Sequence, residues 1–460
     1  MNSGRRIQLA VFVYIALRMN AAVAVEYQVG SNSPLKEIDQ VPLELLKAGD
    51  NVQIHWRSKP YRSKFVLCRR GTKERPITIV GVPGPKGELP VIDGRDATTR
   101  KQLNYWGEDR AVIKIGGANR PADTMPAHIV IRNLEIRSGR KPFHFTGRVG
   151  RTAYRKNAAS IYIEKGENIL IENCTIHDSG NGIITAPTTT DLTVSGCYLY
   201  NNGVEKSLYE HNAYISALRV KFEFNRFGPL RPGCLGNNFK DRSAGLEFTC
   251  NWVEGGTRCV DLVDAGHPRL NGSPRYVDSL VIGNVLLKSP QASNSQVVHF
   301  GGDSGKTKQY RSILTFAQNT VVSHRSGNTV LIRRSHANAV VAGINNLVYV
   351  APGKGRLSLL SSPDVGKSEF SGNWLMKGWR ISPGSGSKRL SSGENVSGVD
   401  PGFRDLANRD FRLRRDSVAR GSGMFPQSFR MQYGVHQQSA VRADYGQSRK
   451  ADIGAFSNQD

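Results

Sequence analysis

The chain has 460 residues, among them 48 glycines and six cysteines, and carries a formal charge of +25. No run of 18 or more apolar residues occurs, which excludes a membrane-spanning helix. The length suits one large solenoid or two to three ordinary domains.

In chain order, the first segment reads as an export signal. Arg5 and Arg6 precede the apolar run of residues 7 to 17, and Ala22-Val23-Ala24 supplies an A-x-A cleavage site. Cleavage after Ala24 removes Arg5, Arg6 and Arg18 and no acid, so 25 − 3 leaves +22 on a secreted or periplasmic chain. The expected partner of that charge is an anionic polysaccharide rather than nucleic acid: export argues against the latter, and carboxylates or sulfates repeat along an extended polymer as phosphates do. A monomer is expected.

Residues 34 to 47 place Leu and Ile at helical spacing, with Pro42 interrupting, and are expected to cap an open end. NVQIHW, KFVLC, PITIVGVPG and PVIDG then read as short strands separated by Gly and Pro turns. Two stretches break the pattern. Ala97 to Asp123 contains Tyr105, Trp106 and Asp109; Ser138 to Asn157 holds six basic residues with Phe143, His144, Phe145 and Tyr154. Mixed aromatic and basic loops suit a sugar chain, because rings stack on pyranose faces and cations meet acids.

Asparagine recurs between apolar, β-branched flanks at Asn133, Asn173, Asn225, Asn251, Asn284, Asn319 and Asn346, with Gly196 taking one rung. Most intervals run from 23 to 35 residues, the spacing of a repeat architecture. Asparagine tolerates a left-handed bend, and its amide can bond the same amide one coil away. The expected fold is all-β: a single-domain right-handed parallel β-helix, a solenoid with an N-terminal cap. The boundaries are 1–24 for the signal, 25–96 for the cap and first coils, 97–374 for the β-helix with loop insertions, and 375–460 for C-terminal coils and tail. In the tail, DPGF and DFRL read as a final strand pair and DIGAF as a last strand. Cys174 and Cys197 fall one rung apart and should stack, either bonded to each other or, as expected here, simply packed inside as thiols. Cys68, Cys234, Cys250 and Cys259 lack metal-ligand spacing.

Three consecutive coils, YEHNAYISA, GNNFKDRSAG and GGTRCVDLVDAG, concentrate polar residues. Tyr214 and Lys240 each stand 11 residues before the next ladder asparagine, and His211 and Asn237 each stand 14 before it, so both pairs should stack. Arg242 should share the side of Lys240. Arg258 and Asp261 come early in the third coil, and His299 extends the stripe. This stripe suits elimination across a uronic acid: a cation neutralises the carboxylate, a base removes the C5 proton, and an acid protonates the leaving oxygen. Lys240, crowded by arginines, is expected to have a lowered pKa and to act as base.

The capped first coil, the lysine- and arginine-bearing coils and the DPGF…DFRL ending resemble the secreted β-helix polysaccharide lyases, nearest the alginate lyase and chondroitinase B family. That resemblance implies a coil lysine as base and an arginine on the next coil as acid, which by position are Lys240 and Arg258. The family also holds calcium on acidic residues upstream of its lysine. Here RPGCLGNNFK contains no acid, so no cofactor is expected, although calcium stays open, and Arg242 or Arg231 would replace the metal. Alternatively His211 and Tyr214 supply base and acid. Asn237 and His299 complete the expected substrate contacts. A glycoside hydrolase using Asp261 and Asp264 is the enzymatic alternative; otherwise these two orient Arg258 or Lys240. A non-catalytic polysaccharide-binding or adhesion protein is the third reading.

Overall fold

In the computed structural model, the described residues are 24–303, 311–336, 338–353, 355–362, 368–381, 390–424, 433–434, 443–444 and 452–456. Apart from Ala24, the export signal lies outside them. The chain winds as a right-handed parallel β-helix, and each full coil contributes three strands. The coil beginning at Phe239 shows the plan: Phe239–Asp241, Ala244–Thr249 and Trp252–Glu254 each pair in parallel with the equivalent strands before and after. The third strands stack in strict chain order from Val91–Asp93 to Val396–Gly398. The coils therefore continue past residue 374.

The bend between second and third strands separates two jobs that the sequence pattern merges. One residue adopts the left-handed conformation: Asn133 (φ 56°), Asn173 (φ 51°), Gly196 (φ 64°), Phe224, Cys250, Gly283, Gln318, Asn345 and Gly372. The next residue points inward. Asn133, Asn173 and Gly196 are thus bend residues, whereas Asn225, Asn251, Asn284, Asn319 and Asn346 are ladder residues. The ladder runs on through Asn373 to Asn395, each Nδ2 donating to the next Oδ1 at 2.9–3.1 Å. Each Oδ1 also accepts the preceding rung's backbone N–H. Such buried amides persist only because they are paired; an orphaned one costs about 1–3 kcal/mol. Cys174 and Cys197 occupy the same inward position at the ladder's start: Cys197 N–H donates to Asn225 Oδ1 at 2.9 Å, and Cys174 N–H donates to Cys197 Sγ at 3.4 Å. All six cysteines are unbridged.

Segment 34–47 forms two 3-10 turns, Ile38–Gln40 and Leu43–Leu45, rather than α-helix, because Pro42 leaves too few residues on either side. Ile38, Val41, Leu43 and Leu46 still cover the end of the core. The two interruptions are less open than expected. Ala111–Ile115 is a genuine coil strand paired with Ala159–Glu172. His144–Gly147 and Gly150–Ala153 form a hairpin in which Phe145 and Tyr154 are buried against Ala97 and Ala158. Those two rings pack the protein and offer no sugar platform.

Phe403–Asp405 and Asp410–Leu413 pair antiparallel, as DPGF and DFRL suggest. The pair lies on the third face, where Phe411 stacks on Trp252 at 5.6 Å and Phe403 meets Tyr349 at 5.9 Å. DIGAF is not a strand: residues 452–456 bend across the coils, with Gly454 N–H on Asn345 O and Ala455 N–H on Thr320 Oγ1. The described residues of the tail thereby pack on the third face rather than on the outer side of the first strands.

Candidate active site

Along that first face, one residue per coil forms a straight outward column. Backbone register pairs Tyr214 with Lys240, Lys240 with Asp261, Asp261 with His299, and His299 with Arg333. Strand alternation sends the flanking Phe239 and Asp241 inside. Asp241 meets Arg311 there as a fully buried ion pair.

Lys240 Nζ donates to Asp261 Oδ2 at 3.0 Å and to Asp303 Oδ2 at 2.6 Å. Arg242 donates through its terminal nitrogen to both Asp303 oxygens, at 2.8 and 3.0 Å, and through Nε to the Tyr214 hydroxyl at 3.0 Å. Arg242 also donates to the Asp264 carbonyl. Asp303 thus bridges two cations while standing beside the phenol. Arg258 lies 3.5 Å from Asp261 and donates from Nε to Gln296 at 2.7 Å.

Lys240 is not a lowered-pKa base. Burial alone would lower it, but Asp261 and then Asp303 outweigh that effect and hold the ammonium above its ordinary value. The sequence showed the nearby arginines and hid the carboxylate brought in from residue 303. Burial would likewise raise Asp261 and Asp303. For Asp261 the His299 hydrogen bond and then the Lys240 charge prevail, for Asp303 the Lys240 contact does, and both carboxyls stay well ionised.

His211 and Asn237 do stack, with Asn237 N–H donating to His211 Nδ1 at 3.0 Å. His211 is 1% exposed, and burial first, then the Lys240 charge, pushes it down to about 3. It is a neutral structural acceptor and a poor proton acceptor. Asn237 is no substrate contact either: its amide donates to Asp261 at 2.6 Å and accepts Arg258 N–H at 3.1 Å. Both His299 nitrogens are engaged, Nδ1 with Asp261 at 2.8 Å and Nε2 with Ser335 Oγ at 2.9 Å. Arg231 lies apart from the column, donating to Asp178 at 2.7 Å and to the Gly203 carbonyl at 2.9 Å. Asp264 is fully buried and accepts Asp303 N–H at 2.8 Å, and Asp261 is 1% exposed. This pair cannot flank a glycosidic bond; it positions Lys240, Arg258 and Asp303.

Sequence reasoning missed Asp303, Arg333 and Ser335. Equal offsets from the ladder found Tyr214 and Lys240, but Asp261 stands 284 − 261 = 23 residues before its asparagine and His299 319 − 299 = 20 before its own. Loops inserted between first and second strands absorb the difference. Among the described residues no cluster of three or more His, Cys, Asp or Glu has metal-binding geometry. The carboxylates beside Lys240 are already matched by cations, so the residues present do not fit a calcium ion.

A family model described as "Right handed beta helix region" matches residues 114–266. Comparison by sequence with curated proteins gives no match. The fold is similar to that of pectate lyase Pel9A, with 12% identity over 94% of this chain and 96% of that one and a TM-score of 0.50. It is similar more loosely to an alginate lyase from Paenibacillus sp. str. FPU-7 (13% identity, 77% and 94% coverage, TM-score 0.37). A GH136 lacto-N-biosidase from Eubacterium ramulus is comparable (14% identity, 82% and 68% coverage, TM-score 0.38). At these identities the likeness is one of fold.

Proposed function

We propose that this chain is a carbohydrate-active enzyme that cleaves a uronate-containing polysaccharide by β-elimination. The observation that carries this reading is the Lys240–Arg242 fork, which already holds a carboxylate, that of Asp303, beside the Tyr214 hydroxyl. A sugar carboxylate competing for the same fork would have its charge neutralised by two cations, which makes its C5 proton more acidic.

Within the column Tyr214 is the one group that is partly exposed, able to pass a proton either way, and outside any ion pair. Arg242 Nε–H is aimed at its oxygen, so charge developing there meets a fixed donor. With its own hydroxyl proton first given up to solvent, Tyr214 takes the C5 proton, the C4–O4 bond breaks as the C4=C5 bond forms, and O4 receives a proton from Lys240 or from Tyr214 itself. Lys240 therefore acts as a charge-neutralising donor. The mature charge of +22 would draw an anionic polymer to this face.

Incubation with a panel of uronate polymers tests this. Elimination appears as ultraviolet absorbance of the unsaturated end. Reducing ends without absorbance mean hydrolysis, and binding without turnover means an adhesion role; either result overturns the proposal.

A further inference from the structure

A second constellation shares the column but uses different atoms. Ser335 Oγ lies 2.9 Å from His299 Nε2, and His299 Nδ1 lies 2.8 Å from Asp261 Oδ1. Asp261 and His299 are buried, whereas Ser335 is partly exposed just after the strand Thr329–Arg334. An ionised carboxylate only accepts, so the imidazole must carry its proton on Nδ1. In the neutral ring Nε2 is then an acceptor facing the serine hydroxyl. Carboxylate, imidazole and hydroxyl thus follow the order and spacing of a nucleophilic relay. Asn237, Lys240 and Arg258 crowd the same carboxylate and fix its orientation.

We propose that Ser335, His299 and Asp261 form a serine esterase site that removes acyl groups, such as acetyl esters, from sugar hydroxyls of a bound polysaccharide. Ser335 Oγ attacks the ester carbonyl and its proton passes to His299 Nε2. The C–O bond to the sugar breaks, and the leaving alkoxide takes that proton. Water, deprotonated by the same nitrogen, then releases the carboxylic acid and restores the hydroxyl. One donor stands close by for the charged intermediate: Gly302 N–H, which donates to Ser335 Oγ at 2.9 Å. Removing acyl groups from the polymer whose chain is cut a few coils away would clear its path along this face of the coils. The choice of a sugar ester rests on the polysaccharide reading above; the presence of a reactive serine does not.

The competing explanation is structural. Ser335 Oγ also lies 3.0 Å from the Gly302 carbonyl and would simply clamp residues 301–302. A fluorophosphonate probe separates the two. The site predicts stoichiometric labelling of the whole protein at Ser335, located by peptide mass spectrometry, and hydrolysis of p-nitrophenyl acetate. Ser335→Ala and His299→Ala should each lower that hydrolysis on the order of 10³-fold or more. Absence of labelling at Ser335 on folded wild-type protein overturns the proposal, and so does ester hydrolysis that survives Ser335→Ala. Labelling of wild type needs no variant to fold, and it can succeed even where no uronate polymer is cleaved.

Discussion

Lys240 donates to Asp303 at 2.6 Å across 63 residues of chain. This contact, together with the Asp261 charge, keeps the lysine protonated, the reverse of the chemistry expected of it, and places an internal carboxylate in the fork. Removing the internal carboxylate should free the fork. Asp303→Asn is expected to lower KM for a uronate substrate roughly three- to tenfold, about 1 kcal/mol of competition relieved, with kcat changing less. A rise in KM would mean that Asp303 helps to hold substrate.

His211 makes stability pH-dependent. Its folded value of about 3 lies below the ordinary 6.5, so between these limits the unfolded chain binds more protons and stability falls on acidification. The contribution is complete above pH 6.5 and is lost progressively as pH drops toward 3, by at most about 1.4 kcal/mol per unit. Asp261, held below its ordinary 3.8, adds a further loss at still lower pH. Thermal melts of wild type and His211→Gln over this range check the first effect. Parallel curves would contradict it.

The two asparagine positions at each bend should respond differently to alanine. Asn251→Ala removes the acceptor of the Asn225 backbone N–H and one of the two acceptors of its Nδ2, which keeps only the Val194 carbonyl, a loss on the order of 3 kcal/mol. Asn133→Ala only replaces, at φ 56°, a side chain that tolerates the left-handed region by one that tolerates it less, for about 1 kcal/mol. Urea unfolding of the two variants measures the difference, and equal losses would refute the division of roles.

Because all six cysteines are unbridged, dithiothreitol should leave the melting temperature unchanged, and a thiol reagent should count six groups after denaturation. A drop in melting temperature under reduction would show a covalent link.

The fold was legible because periodic apolar strands and regular bends are local properties. Asn251 announces its bend within eight residues, LEFTCNWV. What stayed hidden was which of two adjacent bend residues turns inward, since Asn suits both tasks; Asn173 bends while Cys174 points in. At the site, constant offsets revealed Tyr214 over Lys240. They could not reveal Asp303 or Ser335, which lie just beyond the ends of their strands, where the chain leaves the coil register. Nor could spacing show that Asp261 and Asp264 are buried, or that Phe145 and Tyr154 fold into their own hairpin. Burial of a charged or aromatic residue depends on what packs over it, and that comes from distant chain.

The central claim is proton transfer at Tyr214 beside a carboxylate fork. Its most direct test follows unsaturated ends and reducing ends together during digestion of a uronate polymer. Wild type should yield the two in equal numbers, and Tyr214→Phe should lose both by at least about 10²-fold with an unchanged melt. Full turnover by Tyr214→Phe, or reducing ends formed without unsaturation, would contradict the account.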